Sequence, residues 1–341
     1  MTSPLGGIVM RSRMPVAVRA VVCAVSLLSL VLPASGQPTA DQVLSSAGFS
    51  AEDKQRVLNG EFVTASAKPV SDRDLAVSMA FLMKTSPENL SRLVVTGSLI
   101  TTDAQVQAYS MFKNPGSLAD LAGLRITPAE AQALASAKPG SSLNLSAAEI
   151  AAFRAVPAGD QEAVQQQLQK MLLGRYQAYR ASGLAGIKPY ARGGGVDRDL
   201  AGDLRKATEA AQNLAQFLPR FHALLLSYPQ GMDADMEENF FWMRSIIQGK
   251  PTYILQQTLV AADGDARAVV QRQFYASTGY NGEQAIAAFL PVSNSTIVVY
   301  SSHVFTDQVT GFGGFAKRGI GSRLMVDSLE KMFEASRSRA V

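Results

Sequence analysis

The last third of the sequence alternates between apolar and polar residues in four successive segments. The segments that predict β-strands are Tyr253 to Val260, Arg267 to Tyr275, Gln284 to Pro291 and Thr296 to Phe305. Short turns that pair aspartate or asparagine with glycine or serine separate them, as in Asp263-Gly264-Asp265. Consecutive strands joined by hairpins predict an antiparallel sheet. They exclude the parallel sheet that alternating strands and helices would give.

A helical pattern follows the strands, from about Phe315 to Ser336. Its large apolar residues recur at spacings of three and four: Leu324, Met325, Leu329, Met332 and Phe333. Since five exposed apolar side chains would be a liability in solution, we expect this face to be buried against the sheet. The sequence therefore predicts an α+β fold, in which a curved antiparallel sheet packs on a long C-terminal helix.

Further elements precede these strands. Strand patterns occupy 61–65, 75–83 and 104–112, and a helix with a serine cap and an early proline occupies 86–95. A helical block is predicted as an insertion at about 117–249. Its helices begin at the capping boxes of Thr127 and Ser146 and continue over Asp160–Ser182, Asp199–Phe217 and Met236–Gln248. The C-terminal strands and helix then occupy 250–341.

The N-terminus has the three parts of a secretory signal peptide. Three arginines up to Arg19 form a basic start, Ala20 to Leu32 is apolar, and Pro33 to Gly36 supplies small residues. The apolar run is shorter than the roughly 20 residues that span a bilayer. We expect cleavage near Gly36, so that 1–36 is a signal peptide and 37–341 is a single α+β domain in the periplasm or outside the cell.

Removing the predicted leader changes what the composition implies. The chain has 32 basic and 28 acidic residues; without the three leader arginines, 29 basic residues remain. This near balance predicts no nucleic-acid partner. The single cysteine, Cys23, also lies in the leader. The mature chain therefore forms no disulfide and depends on its core for stability.

Several short motifs resemble an uncharacterised family of exported bacterial proteins. In chain order they are Ser117-Leu118-Ala119-Asp120-Leu121-Ala122-Gly123-Leu124, Lys138-Pro139-Gly140, Leu145-Ser146-Ala147-Ala148-Glu149-Ile150, Phe221-His222, Tyr228-Pro229, Phe241-Trp242 and Phe274-Tyr275-Ala276-Ser277. In the relatives two cysteines flank the Pro-Gly turn, whereas Ala137 and Ser142 stand about there in this chain. The disulfide that the resemblance implies is therefore lost. The family has no established activity, so the resemblance implies no catalytic residue.

The order of the predicted elements is also similar to that of the START-like, helix-grip superfamily. Those folds hold an apolar cavity between a curved sheet and the last helix, often for a lipid or another hydrophobic molecule. The resemblance implies the same architecture and the same kind of cavity here. It rests on element order and not on matched residues.

Six residues are candidates for such a cavity. The predicted ligand-binding residues are Phe241, Trp242, Tyr275, His303, Met325 and Met332. The aromatic members could line a pocket, although aromatic residues more often fill a core. The methionines are chosen because thioether side chains adapt to variable occupants. His303 lies on a predicted strand and is the candidate acid or base if the chain is an enzyme.

Motifs for metals and nucleotides are incomplete. Asp233-Ala234-Asp235-Met236-Glu237-Glu238 begins like a calcium loop but lacks the glycine at its sixth position, so it is interpreted as the acidic first turn of a helix. Gly311-Phe312-Gly313-Gly314-Phe315-Ala316 is similar to a dinucleotide fingerprint, but no second parallel strand follows it. No metal, cofactor or catalytic residue is predicted.

These patterns predict an exported, non-enzymatic protein that binds a lipid-like hydrophobic ligand between the sheet and the C-terminal helix. Two alternatives stay open: a periplasmic enzyme of unknown reaction that uses His303, and a ligand-free scaffold with a protein interface on the helical block. A large dry pocket favours the first function, a polar cluster around His303 the second, and a filled core the third. A peripheral membrane contact is predicted through Lys317, Arg318 and Arg323.

Overall fold

A computed structural model describes residues 39–337, except 158 and 311–313. In the last helix it does not describe the side chains of 314–316 and 318. The predicted signal peptide therefore lies outside the described residues. The helices are α1 (Ala40–Ser46), α2 (Ala51–Leu58), α3 (Pro87–Val95), α4 (Pro128–Ala135), α5 (Ala147–Arg154), α6 (Gln161–Ser182), α7 (Leu200–Ala210), α8 (Gln212–Phe217), α9 (Pro219–Ser227) and α10 (Gly314–Arg337). None of these described helices combines the length and the apolar character that crossing a membrane requires.

Eight of the described strands form one antiparallel sheet. The described strands are β1 (Val63–Ala65), β2 (Asp74–Met83), β3 (Val106–Met111), β4 (Tyr190–Gly193), β5 (Val196–Arg198), β6 (Met236–Ile247), β7 (Lys250–Asp263), β8 (Ala266–Ala276), β9 (Gly282–Val292) and β10 (Ser295–Phe305). The order across the sheet is β1-β2-β10-β9-β8-β7-β6-β3, while β4 and β5 form a separate hairpin. The four predicted C-terminal strands are thus confirmed as β7 to β10. The α+β class, with a large antiparallel sheet and a C-terminal helix, is confirmed too.

The predicted helix over Met236–Gln248 is wrong, because this segment is strand β6. It pairs with β3 on one side and β7 on the other, and Phe240, Phe241 and Trp242 are all buried. Side chains that are apolar on both faces suit a strand covered on both sides, and aromatic residues favour strands. The acidic residues before Met236 form a turn and do not begin a helix. The helical segment between β3 and β6 therefore ends at Ser227 and not at 249.

Helix starts were predicted more accurately than helix ends. Both capping boxes are present: Thr127 accepts a hydrogen bond from the Glu130 backbone and Ser146 from the Glu149 backbone. The predicted helix over Asp199–Phe217 is two helices, α7 and α8, because Ala211 leaves the helical conformation between them.

The two faces of the sheet are covered differently. One face packs against α3 and α10, in a core that includes Phe81, Leu90 and Val298. The other face packs mainly against α4 to α9, in a larger core that includes Trp242 and Tyr275, and its β1 end against α1 and α2. This arrangement makes α10 the main cover of one face.

The predicted apolar face of α10 is only partly buried. Met325, Leu329 and Phe333 pack against the sheet. Leu324 is 62% exposed, so its predicted burial is wrong. Spacings of three and four span a stripe wider than the contact that a helix makes with a sheet, and Leu324 lies beyond its edge.

Candidate functional site

A cavity of about 370 Å³ lies between the sheet and the helices α3 and α10. Strands β2 and β6 to β10 contribute its floor, and the segment from Leu99 to Val106 contributes to its wall. The space exists partly because the residues in the middle of β9 that face it, Ala285 and Ala287, are small. Its volume falls within the range of roughly 300–1,000 Å³ that small-molecule sites occupy.

One end of the cavity is apolar. Phe289, Val298 and Phe81 are paired across β9, β10 and β2 and form a row on the cavity face. Phe333 of α10 closes this end, with its ring centroid 4.3 Å from that of Phe81. Such a surface suits the apolar part of a ligand, because only dispersion and the release of water act there.

The other end of the cavity is polar. Gln256, Gln273 and Glu283 are paired across β7, β8 and β9 and form a second row, which also faces the cavity. Phe289 lies six residues after Glu283 along β9, which corresponds to about 20 Å of strand. The cavity therefore extends between a polar row and an apolar row.

Glu283 is held in place by local structure. It follows Gly282, where a Cβ would lie 2.7 Å from both the Gln273 carbonyl oxygen and a methyl group of Leu200, so no larger residue fits without movement. The Ser302 hydroxyl donates a hydrogen bond of 2.7 Å to Glu283 Oε1. Burial raises the pKa of the Glu283 carboxyl; hydrogen bonds from Ser302 and Tyr300 oppose this rise, and the charge of Asp103 adds to it. Glu283 is thus a positioned acid in a poorly solvated place.

Two amides that face the cavity, those of Gln256 and Gln271, have weak hydrogen bonds or none among the described residues. Gln256 is only 5% exposed, yet its contacts to Thr258 and Gln273 are 3.4 and 3.5 Å long, near the limit of a hydrogen bond. Gln271 lines the cavity beside them and makes no side-chain hydrogen bond within the described residues. The Tyr280 hydroxyl donates to Gln273 Oε1. Hydrogen-bonding capacity is therefore left over inside the cavity.

The structure does not bring the six predicted ligand-binding residues together. Met325 and Met332 line the cavity. Phe241 lies on the same face of β6 as the lining residue Met243, but it packs beneath Gly97, whose missing Cβ would come within 2.6 Å of the ring. The other three do not line the cavity.

Tyr275 faces away from the cavity because of a β-bulge. The pairing of β7 with β8 shifts between Leu255 and Gln256, which leaves Phe274 as an extra residue. The strand alternation is interrupted there, so Phe274 and Tyr275 both pack in the core under the helices. The guanidinium of Arg175 lies 4.2 Å from the centre of the Tyr275 ring. Tyr275 is therefore a packing residue of the opposite face.

Trp242 and His303 also lie on the opposite face. Trp242 donates a hydrogen bond of 2.7 Å from Nε1 to the Asp120 carbonyl oxygen, in the core under the helices. His303 lies between Ser302 and Val304, of which Val304 lines the cavity, so strand alternation directs His303 away from it. Its Nδ1 lies 2.8 Å from Oδ2 of the buried Asp74. This histidine–carboxylate pair is a separate feature from the cavity.

A buried polar network on the helical face was not predicted from the sequence. Arg272 of β8 is fully buried and donates hydrogen bonds to Gln284, Tyr179, Thr208 and the Leu225 carbonyl oxygen. Its acceptors belong to β9, α6, α7 and α9. The network therefore connects three helices to the sheet, and we interpret it as structural.

The polar row of the cavity was also missed, although the sequence carries a signal for it. Gln271 and Gln273 alternate with Arg272 between apolar residues, Val269 and Val270 before them and Phe274 after them. Polar residues on both faces of a central strand indicate that each face meets hydrogen-bonding groups or a polar cavity. Which face belongs to the cavity could not be read without the register.

The residues that were predicted to contact a membrane lie at the start of α10. Lys317 and Arg323 are exposed there, and Ile320 and Leu324 are more than 60% exposed. The side chain of Arg318 lies outside the described residues. Within the described residues, no group of three or more histidine, cysteine or acidic side chains is placed to hold a metal ion.

Comparisons with known proteins find one similar structure, which matches only part of this chain. No family model matches the chain, and no curated protein matches it. A START superfamily protein from Mycobacterium smegmatis of known structure is similar to it at 16% identity and a TM-score of 0.22. The match covers 30% of this chain and 63% of that protein, so the chain spans less than two thirds of its length. At this TM-score the likeness does not establish a shared fold.

Proposed function

We propose that the protein binds an elongated hydrophobic or amphipathic molecule in the cavity beneath α10. The observation that supports this proposal is the cavity of about 370 Å³, apolar at the Phe81 row and polar at the Glu283 row. A core that served stability alone would be filled, because a void forfeits contacts that its lining atoms could make. A ligand with a chain and a polar head would restore contacts at both ends.

The proposal extends to the architecture and the location. The sheet with α10 as its last element has the order of a START-like helix-grip, with the segment between β3 and β6 as its inserted helical block. The basic, apolar and small-residue segments up to Gly36 support export, and so the ligand would be bound in the periplasm or outside the cell. These proposals can be tested separately from binding, since N-terminal sequencing of the secreted protein should find a start within a few residues of Gln37.

Extraction and mass spectrometry of the purified protein test the binding function. The protein would be expressed with its leader, recovered from the periplasm and extracted with organic solvent. We expect an apolar compound at close to one equivalent from the wild-type protein. It should be lost from the Met325→Trp variant, because the larger side chain fills the cavity. Leu324→Trp is the matched control, since residue 324 is exposed on the same helix. Equal amounts of compound from all three proteins would contradict the proposal.

A second candidate function follows from the His303–Asp74 pair. A buried carboxylate that holds one imidazole nitrogen leaves the other available for proton transfer, as in a general base. The His303 side chain is 13% exposed, so solvent reaches it, and its Nε2 makes no hydrogen bond within the described residues. A screen for hydrolysis would test this function. Turnover that is lost in His303→Gln while the thermal unfolding temperature is kept would favour the enzyme.

A further inference from the structure

The charged side chains described in the lining of the cavity are acidic. Among the described residues the lining includes two carboxyl groups, Asp103 and Glu283, but no lysine, arginine or histidine. A ligand with a carboxylate or phosphate head would therefore meet no basic partner among these residues. It would also lie close to groups of its own charge, in a place where water screens charge poorly.

Glu283 has no cationic partner among the residues that the structure describes. The Ser302 hydroxyl donates a hydrogen bond to Oε1, Tyr300 also donates one to the carboxyl group, and no ion pair involving Glu283 occurs among the described residues. By contrast, Glu149 and Asp203 on the other face are paired with arginines, as Glu149 is with Arg175 at 2.6 Å. Glu283 is partly buried, and a poorly solvated carboxylate without a counter-ion is costly, so a positive charge brought by a ligand would be favoured at this position.

The amides beside Glu283 provide further acceptors for the hydrogen-bond donors of a ligand. Gln256 is almost fully buried, faces the cavity and has only long contacts, and Gln271 has no described side-chain partner. Each amide oxygen can accept from a protonated amine. The rings of Tyr280 and Tyr300 also line the cavity and can attract a cation through their faces.

We propose that the cavity selects an alkylammonium amphiphile, with its cationic head at Glu283, Gln256 and Gln271 and its chain along Ala285 and Ala287 toward Phe289. The inference rests on the proposed binding function and narrows it to one ligand class. Burial already raises the pKa of the Glu283 carboxyl, as expected for an acid that lacks a counter-ion.

Three amphiphiles with the same chain test the selection: decylamine, decanol and decanoate. Their affinities for the wild-type protein would be measured by isothermal titration calorimetry at neutral pH, below the concentrations at which they form micelles. We expect decylamine to bind most tightly and decanoate least, with about tenfold or more between them, as a charge-assisted hydrogen bond provides. Decanoate as the tightest ligand, or equal affinity for all three, would overturn the inference and leave the binding function standing. Absence of binding by any of them would overturn both.

The variant Glu283→Gln assigns the effect to this carboxyl group. It removes the charge and keeps the shape of the side chain. We expect about tenfold weaker binding of decylamine and unchanged binding of decanol. Asp327→Asn is the control, since it removes the same charge at an exposed position on α10. Equal loss of decylamine affinity in both variants would show that net charge matters and not the site, and it would overturn the inference.

Discussion

The two faces of the sheet differ in the partners that their charged side chains have. On the face under α4 to α9, charged side chains meet partners: Arg272 bonds four neighbours, and Glu130 bonds Arg244 and Tyr253. On the face under α10, Glu283 has no cation beside it among the described residues, and Gln256 has only long contacts. One sheet therefore combines a filled side, where ion pairs and hydrogen bonds link helices to strands, with a side that leaves space beside an acid that has no counter-ion among the described residues. We infer that the first side supports the fold and the second binds the ligand.

Truncating a large side chain should lower the free energy of unfolding by very different amounts on the two faces of the sheet. We expect Trp242→Ala to lower the free energy of unfolding by about 3–5 kcal/mol, because a fully packed side chain and its hydrogen bond to Asp120 are lost. Met332→Ala should cost only about 1–2 kcal/mol, since one side of Met332 already faces a void. Urea unfolding measures both values. Equal losses would indicate that the cavity is filled in solution and would favour a ligand-free scaffold.

The acids of the two faces should respond oppositely to pH. Burial tends to raise the pKa of Glu130, but hydrogen bonds from Arg244, Tyr253 and Thr127 outweigh it, and the pKa falls below its usual value. The stability that Glu130 contributes is present above the pKa of the unfolded state, near 4.3, and is lost as pH falls through the lower folded pKa. We expect Glu130→Gln to cost about 2–3 kcal/mol at neutral pH, and less in acid.

The contribution of Glu283 to stability depends on pH in the opposite direction from that of Glu130, because the pKa of Glu283 is raised in the folded state. Its contribution is fully present below the pKa of the unfolded state and is lost as pH rises through the folded pKa. Asp103, Tyr280 and Tyr300 are the titratable groups that surround it in the cavity. We therefore expect ligand-free Glu283→Gln to be more stable than the wild-type protein at neutral pH and to lose this advantage in acid. Urea midpoints measured across the pH range would check this, and a variant less stable at neutral pH would contradict it.

His303 should affect stability more than any reaction. In His303→Ala the buried Asp74 loses the imidazole at 2.8 Å and keeps the hydrogen bond from the Val70 backbone. We expect a loss of about 1–2 kcal/mol in the free energy of unfolding. His303→Gln offers a donor of similar reach and should recover part of it. A variant with unchanged stability and a lost enzymatic turnover would shift the assignment to the second candidate function.

The outer surface of α10 should matter least for stability. Ile320 and Leu324 are exposed, so changing both to serine should alter the free energy of unfolding by no more than about 0.5 kcal/mol. If the surface contacts membranes, binding to vesicles with anionic lipids should weaken about tenfold, as measured by co-sedimentation. Leu118→Ser changes an exposed apolar residue elsewhere and is the control. Equal vesicle binding by all three proteins would remove the predicted membrane contact.

The sequence predicted the local elements better than the directions of their side chains. Short turns such as Asp263-Gly264-Asp265 and the cap at Thr127 act over a few residues, so the hairpins and helix starts were visible in the pattern. Segment Met236–Ile247 was misassigned because its aromatic run shows no clear period. Only its neighbours β3 and β7 define it as a central strand.

Of the six residues predicted to bind a ligand, only the two on helix α10 line the cavity. Met325 and Met332 lie at the cavity because the period of α10 is regular. Tyr275 does not, because a single extra residue in β8 reverses the alternation, and no feature of the sequence marks that bulge. The polar row was missed for a related reason. Gln256, Gln273 and Glu283 come from three strands, and the sequence does not reveal the register of these strands.

The central claim is that the space under α10 receives a ligand, and titration with a neutral fluorescent amphiphile tests it most directly. N-phenyl-1-naphthylamine would be added to the delipidated wild-type protein, to Met325→Trp and to Leu324→Trp, and its emission recorded. We expect saturable binding at one site in the wild type and in Leu324→Trp, and a loss of about tenfold or more in Met325→Trp, where the cavity is filled. Weak, unsaturable emission that is equal in all three proteins would contradict the claim.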